Sequence, residues 1–119
     1  MNTQNPDLAM PADLDDKGQK AHQIIVEYLT TNKLATTELR AFYSPSAWRD
    51  RGEEYGCDSH LVIMYDGATS LKRVFSMDAC YESGRAEGYK HYEAMQEKLA
   101  EAGLFFEECT RWYCAIYTI

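Results

Sequence analysis

The residues of this chain best suited to chemistry are its four cysteines and three histidines. Cys57 and His60 stand close together in Cys57-Asp58-Ser59-His60. That spacing suits zinc, which takes thiolates and imidazoles in a tetrahedron, often as a close pair from each of two segments. The second pair would have to be Cys109 and Cys114, which point to opposite faces of a regular strand. Cysteine also packs as a plain small hydrophobe, and core cysteines are the stronger reading. Neither a metal site nor a cofactor is expected.

A cysteine nucleophile would need His60 or His91 beside it in space, and no surrounding motif supports such a pair. Glu53 and Glu54 are consecutive on a short helix and point in different directions, which suits a solvated surface better than acid–base work. The chain has no glycine-rich phosphate loop, dinucleotide fingerprint, nucleophile elbow or paired-histidine metalloprotease helix. The expectation is a non-enzymatic protein. The competing reading is a small enzyme or zinc-binding protein that uses Cys57, His60 and Cys109.

Charge narrows the partners. Twelve Lys and Arg stand against 19 Asp and Glu, for a net charge of −7. An acidic surface works against phosphate backbones, whose affinity comes from Lys and Arg neutralising charge, so direct nucleic-acid binding is not expected. No stretch approaches the roughly 18 apolar residues that cross a bilayer. Met1 to Asp7 lacks the basic region and apolar run of a secretory signal. The cytoplasm is the expected compartment, with the four cysteines as free thiols. Glu93, Glu97 and Glu101 recur every fourth residue on one helix face. Such a stripe could mimic phosphates, but it is more simply the wet face of an amphipathic helix, moderated by Lys90 and Lys98.

The elements that must position these residues are legible in outline. Residues 1–12 read as a poorly ordered lead-in, and residues 13–119 as a single α+β domain. A helix near 14–31 is capped by Asp13 or Asp15, with Ala21, Ile24, Ile25, Tyr28 and Leu29 on one apolar face and a stop at Asn32. A short strand is expected near Glu38 to Tyr43. Ser44-Pro45 opens a short helix that runs to about Tyr55 and ends at Gly56. His60 to Tyr65 is an apolar strand, and Asp66-Gly67 suggests that it turns into a second strand, Leu71 to Ser76, as a hairpin over 60–76. A helix near 84–102 buries Tyr89, Tyr92, Met95 and Leu99 and stops at Gly103. Leu104 to Ile119 reads as a C-terminal strand or strand pair (104–118), broken near Cys109-Thr110-Arg111 because it is too long for one strand. The fold expected is a small antiparallel sheet with the two long helices packed on one face.

Trp48-Arg49-Asp50-Arg51-Gly52-Glu53-Glu54-Tyr55-Gly56, Tyr65-Asp66-Gly67 and Cys109-Thr110-Arg111-Trp112-Tyr113-Cys114-Ala115-Ile116-Tyr117 together resemble segments of small uncharacterised proteins of bacterial plasmids, integrated elements and phages. The resemblance runs from about residue 42 to the end of the chain. It implies a genomic setting, in which small acidic proteins bind and inhibit host or defence proteins, and it assigns no role to any residue. With nine Tyr, four Phe and two Trp, aromatic anchors for a protein partner are available. The candidate contact residues are Trp48, Arg51, Glu54, Trp112 and Tyr113, with Arg51 and Glu54 spaced to pair on one helix face. Either a monomer or a homodimer is compatible, and a third reading is a self-associating protein whose final strand is an open edge.

Overall fold

Asp15 begins the first helix. Its extended backbone turns the side chain back so that Oδ1 accepts the Gly18 N–H at 2.8 Å, supplying one of the donors a helix start leaves unpaired. In the computed structural model, which describes residues 8–34, 40–66, 69–82 and 89–119, this helix is α1 (Asp16–Thr31) and buries Ala21, Ile25, Tyr28 and Leu29 on one face. Asn32 ends it, with Nδ2 donating to the Tyr28 carbonyl at 2.9 Å. Gly18 is required by packing: a Cβ there would collide with the carbonyl oxygen of His60. Residues 1–7 of the lead-in lie outside the described residues, whereas Leu8 is 2% exposed and belongs to the core.

Strand β1 is Phe42–Tyr43, the end of the segment expected from Glu38, of which 38 and 39 lie outside the described residues. Ser44 then caps α2 (Pro45–Asp50), its Oγ accepting from the Ala47 N–H at 3.1 Å. This helix stops earlier than its sequence suggests. Gly52 takes the left-handed conformation at φ 90° and donates to the Arg49 carbonyl at 2.9 Å, so the first available glycine closes the helix and Gly56 is left to shape the loop beyond.

Strand β2 (Leu61–Met64) forms as expected, but its hairpin does not. Instead of a strand over Leu71–Ser76 there is helix α3 (Thr69–Phe75), followed by α4 (Met77–Glu82). Leu71, Val74 and Phe75 are all buried while Arg73 is exposed, a three-and-four spacing that satisfies a helix; alternation would have buried Arg73 with Leu71 and Phe75. Helix α5 (Lys90–Glu101) buries Met95 and Leu99 and is followed by Gly103 at φ 78°; residues 84–88 of the longer helix expected lie outside the described residues. Glu93, Glu97 and Glu101 face solvent. The hairpin of this fold is the C-terminal one, β3 (Leu104–Glu108) and β4 (Tyr113–Thr118), broken at 109–112.

Among the described residues the strands form one antiparallel sheet in the order β1-β2-β4-β3. β4 therefore lies between β2 and β3 and is not an edge, which removes the reading in which the final strand pairs with its copy. One face of the sheet, carrying Phe42, Ile63, Cys114, Ile116 and Phe106, closes under α1, α3 and α5 to form the main core. Tyr28 Oη meets His91 Nδ1 at 2.6 Å, tying α1 to α5. Helix α2 sits on the opposite face, where Trp48 packs with Val62, Tyr113 and Ala115.

Candidate functional site

Among the described residues the second face of the sheet is only partly covered, and the cover is built around one side chain. Trp48 is fully buried, with ring centroids 5.0 Å from Tyr43, 4.8 Å from Tyr113 and 5.7 Å from Trp112. This corrects two of the five candidate contact residues: Trp48 is 0% exposed and Tyr113 1%, so both are core anchors without surface to offer a partner. Helix α2 has six residues and packs on the sheet through its one buried residue, Trp48, and Tyr113 alternates onto this face between Cys114 and the turn.

The other three remain accessible. Trp112 is half-buried against Trp48 and Tyr113, its ring 4.7 Å from Tyr113. Arg51 spreads its guanidinium over the Trp48 ring at 4.4 Å and lies 5.2 Å from the Tyr43 ring, which Arg40 also covers at 4.3 Å. It pairs with Glu53 at 3.6 Å, not with Glu54. The β1 side of this face is thus cationic and aromatic. Glu54 is exposed and belongs to the other side.

From Gly52 the chain crosses the sheet as a loop and descends at Gly56. With φ 85° and a would-be Cβ only 3.3 Å from Ala115 Cβ, Gly56 allows the loop backbone to rest on β4. Between this loop and the β3 side of the sheet lies an open cleft of about 500 Å³. Glu54, Tyr55, Cys57 and Asp58 line it from the loop, and Glu107, Cys109 and Tyr117 from β3, the turn and β4. Tyr117 Oη donates to Asp58 Oδ1 at 3.2 Å, and Arg49 Nη2 donates to the Cys57 carbonyl at 2.9 Å, which fixes the loop on both flanks. Tyr55 is 58% exposed. Of the residues lining the cleft, the sequence-based candidates included Glu54 and left out Tyr55, Asp58, Glu107 and Tyr117. The available signal was Glu107, an acid on the same strand face as Phe105 and opposite Ala115.

The cleft brings Cys57 and Cys109 to one place but does not recruit His60. His60 Nδ1 meets Asp15 Oδ2 at 2.8 Å and Nε2 meets Thr118 Oγ1 at 2.9 Å, so this imidazole ties α1 to β4. Burial works against the Asp15 carboxylate, yet the Gly18 N–H and His60 hold its pKa below the ordinary value. Among the described residues no group of three or more His, Cys, Asp or Glu is arranged to hold a metal ion. The Cys109 thiol is pushed up to about 11, first by burial and then by the charges of Glu107 and Asp58, so it is a protonated thiol at neutral pH and a poor nucleophile. The Tyr117 phenol is raised for the same reasons, burial first and nearby anionic groups after it. Among the described residues no cysteines are joined in a disulfide, and no helix is long and apolar enough to cross a membrane.

Comparisons with known protein families, curated proteins and solved structures find no match to this chain.

Proposed function

We propose that this chain is a non-enzymatic protein-binding module of a mobile genetic element, working in the cytoplasm by occupying a host or defence protein. The observation that carries the reading is the half-covered second face of the sheet, where a cleft of about 500 Å³ is flanked by an exposed tyrosine and by carboxylates. Aromatic side chains with one dry and one wet end are the usual anchors of protein interfaces. The competing cysteine–histidine chemistry has less support: burial and neighbouring acids disfavour the Cys109 thiolate, and His60 is held by Asp15 and Thr118. The net charge of −7 favours a protein partner over a nucleic acid.

The test is capture from native host cells, with the wild-type chain compared with Tyr55→Ala and Glu54→Gln. Both positions are exposed, so the variants keep the fold. The reading requires a host protein retained by wild type and depleted with the variants. Identical captured sets would remove it.

A further inference from the structure

We infer that the cleft receives a basic segment of the partner, with an arginine or lysine side chain seated against Tyr55 and Tyr117 and facing the carboxylates of Glu54, Asp58 and Glu107. This rests on the protein-binding reading and specifies its occupant.

Coverage of the sheet leaves this surface open. Helices α1, α3 and α5 all pack on the first face. On the second, Trp48 and the loop shield Val62, Tyr113 and Ala115, while Glu107 stays exposed and Phe105 and Tyr117 half-exposed.

Charge says what fits there. Among the described residues no cation pairs with Glu54, Asp58 or Glu107; Arg49, which also lines the cleft, donates to the Cys57 carbonyl and forms no ion pair with these acids. Carboxylates that line one cleft without a cationic partner favour an incoming cation. Burial first, and the charges of Glu107 and Asp58 after it, raise the Cys109 thiol at the wall of this cleft.

The aromatic lining suits the same ligand. Tyr117 lies against Phe105 with ring centroids 5.8 Å apart, and Tyr55 is 58% exposed, so ring faces stand beside the acids and can hold a guanidinium by its flat side. The chain already makes this contact at the β1 side of the same face, where Arg40 covers Tyr43 and Arg51 covers Trp48.

Fluorescence anisotropy with the full chain and a labelled peptide alternating arginine and glycine tests the inference. Saturable binding is expected, falling about tenfold in Glu107→Gln and further when Asp58→Asn is added, while a peptide with glutamate in place of arginine does not bind. The control is Glu93→Gln with Glu97→Gln on the outer face of α5, which removes equal charge away from the cleft and should leave affinity within about twofold. Equal losses in the cleft and control variants would overturn the inference, because net charge alone would then explain the attraction. A self-dimer seen by sedimentation and abolished by Glu107→Gln would overturn it in favour of a second copy. If the arginine peptide fails to bind while Tyr55→Ala still depletes the captured host protein, the basic occupant falls and the protein-binding reading stands; if both fail, both fall.

Discussion

The side-chain amide of Gln96 completes the outer hydrogen bonds of Phe106: Nε2 donates to the Phe106 carbonyl at 3.2 Å, and the Phe106 N–H donates to Oε1 at 3.5 Å. In this register Phe106 turns its backbone groups away from β4, toward the open side of the sheet. A glutamine on α5 therefore stands where a further strand would pair, and Arg40 Nε does the same for the Phe42 carbonyl on β1 at 3.1 Å. Both edges are blunted by the chain's own side chains, a recognised defence against edge-to-edge association. Gln96→Ala is expected to cost about 1 kcal/mol and to raise self-association with concentration relative to wild type, read by sedimentation velocity. Unchanged sedimentation would refute this role.

Trp48 and Tyr55 lie on the same stretch of chain and should behave oppositely. Trp48→Ala empties the centre of the second cluster and is expected to cost about 3–5 kcal/mol in urea unfolding, since the side chain is 0% exposed. Tyr55→Ala should stay within about 0.5 kcal/mol of wild type. A mild Trp48 variant would mean that the second face does not depend on this anchor.

His22 is 3% exposed, its Nε2 meets the Leu8 carbonyl at 2.8 Å, and Nδ1 has no partner among the described residues. Burial lowers its pKa below 6.5, outweighing the Leu8 carbonyl, which raises it. The folded state therefore prefers the neutral ring. The stability this confers is fully present above about 6.5 and is lost as pH falls from there toward the lowered folded value. Urea midpoints measured across that window should decline more steeply in wild type than in His22→Leu. Parallel curves would count against a buried neutral histidine.

Gly18 reverses a general rule. Glycine inside a helix normally costs about 0.5–1 kcal/mol relative to alanine, so Gly18→Ala would ordinarily stabilise α1. Here the new Cβ meets the His60 carbonyl, which belongs to rigid backbone, and net destabilisation is expected by thermal unfolding. A raised melting temperature would show that the contact between α1 and the start of β2 can yield.

The sequence by itself determined the elements whose signal is local. The Asp15 cap and apolar face of α1, the Ser44-Pro45 start of α2, the β2 run, the Gly103 stop and the break near Cys109 all follow from capping, period and turn chemistry within a few residues. Only the tertiary structure decided the rest. Leu71 to Phe75 satisfies two periods at once, and the choice fell to the core that Leu71, Val74 and Phe75 fill together against Phe106 and Tyr65. Trp48 and Trp112 are equally large and apolar and share one cluster, yet one is a buried anchor and the other half-exposed, because Trp48 is enclosed by Tyr43, Tyr113 and Trp112 while Trp112 lies in the turn at the rim of that cluster. The cleft joins positions from Glu54 to Tyr117 through the pairing of β2 with β4, and no local pattern encodes a contact made across so much intervening chain.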